Sequence, residues 1–253
     1  MLGKADTAKR GNLLSAVGML LAVIVTLLSK GLSYPLVIGG LAMGGAVGFV
    51  TAKRVQMTGM PELVALFNGF GGLASLLVGL AEYYRAKMSN NLLESVLIEE
   101  LSSFTATVIV LTILIGGITF TGSIYAWGKL SGKLGGRALT FTGQKAFNAL
   151  LALGIIAAGI LFSSSPATEL AHAGLFTIVI LSLLLGIFAV MPIGGGDMPL
   201  VISLLNCCSG LAACAAGFVS NNNVLVVAGC LVGASGLILT VIMCEAMNRD
   251  LIN

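Results

Sequence analysis

The sequence predicts an all-α membrane protein with about eight spanning helices, and three observations carry that prediction. The 253 residues are 57% hydrophobic and 9% charged, with a mean hydropathy of +1.06. A soluble domain covers itself with about 25% charged residues, so much of this surface must face lipid. The apolar residues run unbroken for bilayer-spanning lengths instead of alternating as barrel strands do. Glycine, with 34 residues, is spread through those runs, as close helix packing in lipid requires.

The elements follow in order. The first, 11–29, comes after a charged start, but its apolar part is long and no small-x-small site follows, which makes it a spanning helix and not a signal peptide. A tight turn, Ser29 to Leu32, leads to 32–52. The charged loop 53–59 precedes 60–84, which opens on Met60-Pro61-Glu62. The loop 85–99 precedes 100–128, and the basic loop 129–143 precedes 144–163 and 169–191. The stretch "GGGDMPLVISLLN" then opens 197–219, and a turn from Ser220 to Asn223 leads to 223–246. Pro61 and Pro199 sit where a helix begins and a missing N–H costs nothing.

Lys and Arg set the orientation. With the N-terminus inside, the inner segments hold Lys4, Lys9, Arg10, Lys53, Arg54, Lys129, Lys133, Arg137, Lys145 and Arg249, and the outer ones hold Lys30, Arg85 and Lys87. Both ends are therefore expected in the cytoplasm. Tyr34, Tyr83, Tyr84, Tyr125 and Trp127 fall near span ends, as interfacial aromatics do.

An internal repeat is visible. "MPELVALFNGFGGLASLLVGL" at 60–80 aligns with "MPLVISLLNCCSGLAACAAGF" at 198–218, sharing the frame Met-Pro-x6-Asn-x3-Gly-Leu-Ala at an offset of 138. Segments 9–130 and 144–248 read as one four-helix unit used twice, and an even number of helices makes the repeat parallel.

The frame places an amide inside each copy. Asn206 falls about 13 Å into its helix at a rise of about 1.5 Å per residue, and Asn68 lies at the matching depth. An amide in hydrocarbon must point into the bundle or a wet cavity. Helical spacing gives the stripes Asn68, Gly72, Ser75, Gly79; Ser203, Asn206, Gly210, Ala213; Thr112, Gly116, Thr119, Ser123; and Gly229, Gly233, Gly236, Thr240. Small and polar residues at this spacing either pack helices tightly or line a narrow hydrated path. Glu62 and Asp197 stand at helix starts on the basic side, where the helix dipole favours a carboxylate. Gly196 and its neighbours allow the backbone beside Asp197 to bend.

The absences are equally informative. No Lys, Arg, Asp or Glu lies in mid-membrane, and the single histidine, His172, reads as interfacial. The chain therefore offers amides and hydroxyls that hold water, with a titrating group supplied from elsewhere. Cys207, Cys208, Cys214, Cys230 and Cys244 form no CxxC pair and read as packing residues. No GxGxxG follows a strand, so the chain itself is expected to bind no nucleotide cofactor, to hold no metal and to catalyse no hydride chemistry. Nothing points to nucleic acid.

"AKRVQMTGMPELVALFNGFGGLA", "TFTGSIYAWGKL", "GGGDMPLVISLLN" and "GLILTVIMCEAMNRDL" resemble the β subunit of proton-translocating NAD(P) transhydrogenase, in order and over nearly the whole chain. The resemblance implies a complex that moves hydride from NADH to NADP⁺ between two soluble domains, driven by protons passing inward through a membrane domain. It places the family's polar channel residues at Asn68, Ser123 and Asn206, its acid at the cytoplasmic mouth at Asp197, and the segment leading to the NADP(H) domain at Asn248 and Arg249. Many members have a histidine where this chain has Asn68. Its replacement resembles the three-subunit bacterial type, in which a small α-type membrane subunit supplies the histidine. The implied partners are that subunit, an NAD(H)-binding subunit, an NADP(H)-binding domain and a second copy of the complex, in the bacterial inner membrane. The family's NADP(H) domain and first β helix are not in this chain. This gives the expectation of a chain cut to the membrane domain or a naturally split gene. Taken without the resemblance, the same residues also fit a stand-alone secondary transporter or channel, or a scaffold for a partner's conducting helices.

Overall fold

A computed structural model describes residues 5–28, 34–92, 103–164 and 169–248. Among them eight helices succeed one another without a strand: α1 Ala5–Leu27, α2 Tyr34–Arg54, α3 Met60–Leu92, α4 Ser103–Leu130, α5 Gln144–Ser164, α6 Glu169–Val190, α7 Met198–Val219 and α8 Asn223–Ala246. Seven, α2 to α8, are long and apolar enough to cross a membrane. The expectation of about eight helices holds, and helices are what lipid demands, since each satisfies its own backbone.

The chain divides into two compact units, Met1–Gln56 and Met57–Asn253. In the first, α2 has no buried residue, and side chains such as Leu36, Met43 and Phe49 are open to lipid. In the second, α4 is the central helix, packing on α3, α5, α6 and α7. Its approach to α3 rests on glycine: a Cβ at Gly72 would stand 2.8 Å from the Phe120 backbone nitrogen, and one at Gly116 would stand 2.7 Å from the Gly72 carbonyl. Any side chain at either point would push the helices apart.

Two apolar clusters fill this unit. One gathers Leu76, Ile109, Ile113, Phe162, Leu175 and Ile178. The other gathers Ala65, Ala126, Val190, Met198, Val201 and Leu205. On α3, α4 and α7 alike, a stretch containing polar residues separates the members of one cluster from those of the other.

Helix ends follow local chemistry. Both α3 and α7 begin directly after a 3-10 turn, Met57–Gly59 and Gly195–Asp197, with a proline as second residue. Asn222 caps α8, its Oδ1 accepting from the Leu225 N–H at 3.1 Å. Asn221 before it and Asn248 after α8 both adopt φ 51°, a left-handed conformation that Asn tolerates better than most residues. Several boundaries differ from expectation, the first being the start of α1, at Ala5 instead of 11. Helix α3 runs on to Leu92 instead of ending at 84, because Ala81 to Leu92 contains no helix breaker and is rich in helix formers. Helix α4 runs to Leu130, which brings Lys129 out of the expected loop and into the helix. The turn from Ser29 to Leu32 lies outside the described residues.

Candidate functional site

The site is best built from Asn68. Its Nδ2 donates to Ser123 Oγ on α4 at 2.9 Å, and its Oδ1 accepts from Ser209 Oγ on α7 at 2.7 Å. One amide thus uses both its ends to join three helices. Ser123 is fully buried and Asn68 half-buried. The junction lies between the two apolar clusters: Ala65 below and Leu76 above on α3, Ala126 and Ile113 on α4, Leu205 and Ala215 on α7. A satisfied amide in such a layer replaces water's hydrogen bonds at little cost, whereas an unsatisfied one is expensive.

The stripe on α4 divides by chemistry. Thr112 donates back to its own helix at Val108 O, 2.7 Å away, which is the ordinary fate of a membrane threonine. Thr119 is fully buried, and its hydroxyl has no hydrogen-bond partner among the described residues. Ser123 serves Asn68. The stripe on α7 divides as well. Ser203 turns to α8, where the Thr240 hydroxyl stands 3.1 Å from it and 2.8 Å from Gly236 O. Asn206 is half-buried, and its side chain makes no hydrogen bond among the described residues. The family resemblance groups Asn68, Ser123 and Asn206; the structure bonds the first two to each other and Asn68 to Ser209, three residues beyond Asn206 on the same helical face. Only that i+3 spacing pointed to Ser209.

The seam between α7 and α8 is backbone against backbone. A Cβ at Gly210 would meet Gly233 N at 2.3 Å, one at Gly229 would meet Cys214 N at 2.4 Å, and one at Gly236 would meet Cys207 N at 2.8 Å. Gly229, Gly233 and Gly236 are all buried there.

At the other end of the junction's helices lies the turn Met191–Asp197. Of its glycines, Gly195 is held by close approach: its N–H donates to Gly136 O at 2.9 Å, and a Cβ would stand 3.3 Å from Gly136. Gly194 and Gly196 face open space. Asp197 occupies the N-cap position of α7, half-buried, without a side-chain cap bond. Glu62 sits likewise in the first turn of α3. Arg249 lies outside the described residues.

Two features were missed in the sequence. Lys129 is 3% exposed; its Nζ donates to Met191 O and to Ile193 O, both at 2.6 Å, and it lies over the Tyr125 ring. The second is the set of partners of His172, which lies near the start of α6. Its Nδ1 is 3.0 Å from Tyr83 Oη, and its Nε2 contacts Lys87 Nζ. It stands about 27 Å of helix rise from Val190, the end of the helix that leads to the turn ending in Asp197.

Amides and hydroxyls relay hydrogen bonds and hold water, but none of them changes charge near neutral pH. The Asn68 junction can therefore order a path, and it cannot itself store a proton. Fold and site together define a multi-pass α-helical membrane protein with a partly buried polar junction between two apolar clusters. Comparison with known proteins narrows that class: the family described as NAD(P) transhydrogenase beta subunit matches residues 1–253. The chain belongs to that family. It is 40% identical over 258 residues to the NAD(P) transhydrogenase subunit beta of Rhodospirillum rubrum, and equally to that of a named strain of the species. The alignment covers 100% of this chain and 53% of those relatives, so the chain spans about half their length.

Proposed function

We propose that this chain is the membrane component of an NAD(P) transhydrogenase and carries the inward proton path that drives hydride transfer from NADH to NADP⁺ in attached soluble domains. The observation that carries this reading is the Asn68 amide bonded to Ser123 and Ser209 between two apolar clusters. A polar layer at mid-helix is costly to keep in lipid and is retained where something polar must pass.

In this mechanism protons reach the junction from outside and meet a histidine of the small α-type subunit. Asn68, Ser123 and Ser209 orient water and that imidazole. Asn206, whose side chain has no bond to a described residue, is placed to exchange partners as the histidine changes charge. Coupling needs a two-state element that both sites bias; the side-chain-poor α7–α8 seam permits such a shift. Asp197, Glu62 and Gly196 are assigned to the cytoplasmic mouth, where the NADP(H) domain docks, and Arg249, outside the described residues, to the segment that follows it. The excess of Lys and Arg on that side supports the orientation, with both termini cytoplasmic and the complex, a homodimer, in the bacterial inner membrane. The nucleotides belong to the soluble domains. In this reading no step within this chain runs through a nucleotide.

The test is reconstitution of this chain in vesicles with the small membrane subunit and both nucleotide domains. On addition of NADPH and an oxidised NAD analogue, a pH dye should report uncoupler-sensitive proton movement that requires both nucleotides. Hydride transfer without proton movement would reject the proton path, and solute transport by the chain alone would favour a self-sufficient transporter.

A further inference from the structure

The C-terminal end of α6 gathers more of the molecule than any other helix end described. The last carbonyls of a helix have no partner within it and must find one outside. Here Phe188 O accepts from Gln144 Nε2 at 3.0 Å and from Asn148 Nδ2 at 3.3 Å, both on α5. Met191 O accepts from the Leu139 N–H at 3.2 Å, in the loop after α4, and from Lys129 at 2.6 Å. Ile193 O accepts from Lys129 alone among the described residues. The same loop reaches across to Gly195 through Gly136 O.

Lys129 differs from the other ties. It carries the only charge among them, and it sits where a cation meets the negative end of the α6 dipole. It is almost wholly buried and spends its donors on two consecutive corners of the turn that ends in Asp197. It also lies on the helix that carries Ser123, six residues further along and thus about 9 Å away on one rigid rod. A lysine is expensive to bury, and an apolar residue of its size would pack this position at less cost. The arrangement stabilises one particular registration of the turn against α4.

We propose that Lys129 is a positioning residue, a tether that makes the Met191–Asp197 turn move with α4, so that rearrangement at the Asn68–Ser123 junction reaches the mouth of the molecule. The inference rests on the proton path proposed above and adds the element that links its middle to its end.

Two measurements test it. The first uses the whole chain alone, in lipid nanodiscs, and follows backbone hydrogen exchange in wild type, Lys129→Met and Lys129→Arg. Loss of two charge-assisted bonds should speed exchange of the Ile193, Gly195 and Asp197 amides about tenfold in Lys129→Met, with Gly72–Leu76 unchanged and Lys129→Arg close to wild type. Unchanged exchange in the turn overturns the tether. A variant that opens everywhere assigns Lys129 a merely structural role and also overturns the proposal. The second uses the reconstituted complex and reads protons moved per hydride transferred. Lys129→Met should lower that ratio about tenfold while hydride transfer stays within about twofold, and Lys129→Arg should restore it. An unchanged ratio beside a loosened turn overturns the link to α4 and leaves the proton path intact. A wild-type complex that moves no protons instead rejects the path, and the link with it.

Discussion

Helices α3 and α7 share one frame and use it differently. Each begins with Met-Pro after a 3-10 turn. Each sets a glycine twelve residues on, Gly72 or Gly210, against the backbone of the following helix, and carries a second seven residues beyond that, where Gly79 meets the side chains of Ile113 and Thr112 and Gly217 meets the backbone at Val226. The backbone packing is therefore the same in kind. The asparagines part company. Asn68 is bonded at both ends, while the Asn206 side chain has no bond among the described residues. The cause lies with the neighbours. Helix α4 brings a serine to the level of Asn68, whereas α8 brings Gly236, packed on Cys207, to the level of Asn206. A frame dictates how closely backbones approach; the side chains of the next helix decide whether a buried amide is satisfied.

This comparison can be broken most severely at the shared glycines. Gly210→Leu drives a side chain into Gly233 N and should cost about 3 kcal/mol or more, with loss of folded protein on detergent extraction. Gly72→Leu should behave alike; a folded Gly72→Leu beside an unfolded Gly210→Leu would show that the two seams are not equivalent. Next comes Asn68→Leu, which strands the Ser123 and Ser209 hydroxyls and should lower thermal stability by about 1–3 kcal/mol. Ser209→Gly places on α7 the residue that α3 carries at Gly71. It should cost about 1 kcal/mol, and in a double-mutant cycle with Asn68→Leu the costs should fall short of additive. The smallest effect on stability belongs to Asn206→Ala, within about 0.5 kcal/mol. The same variant should nonetheless lower proton movement and hydride transfer together in vesicles, and unchanged pumping would remove Asn206 from the mechanism.

Much of this was legible in the sequence, for reasons that can be named. Spans and glycine stripes are written in local periodicity, so the helix set and the buried faces of Gly229, Gly233 and Gly236 follow from spacing. Asn68 and Ser123 were legible because polar residues inside an apolar run must find partners. What spacing does not encode is which partner. Ser209 and Asn206 lie on one face, and the more polar of the two drew attention although the smaller one makes the bond. Lys129 was illegible for a stronger reason. Its partners are carbonyls 62 and 64 residues away, and every residue has a carbonyl. A lysine after an apolar run reads as a loop charge until the fold places an open helix end against it.

The two apolar clusters around the Asn68 junction also bear on how the site would feel an electric field across a membrane. Membrane voltage drops where the medium polarises least, so most of it falls across the apolar clusters and little across the amide and hydroxyls between them. An elementary charge crossing the full membrane exchanges about 2.3 kcal/mol per 100 mV. A charge that enters through one layer, rests at the junction and leaves through the other exchanges that sum in two instalments, each set by the thickness of one layer. In the proton path proposed above, the residues that fill those layers, Ile109, Ile113 and Phe162 on one side and Met198, Val201 and Leu205 on the other, would touch no proton, yet their packing would apportion the voltage between the two halves of its journey.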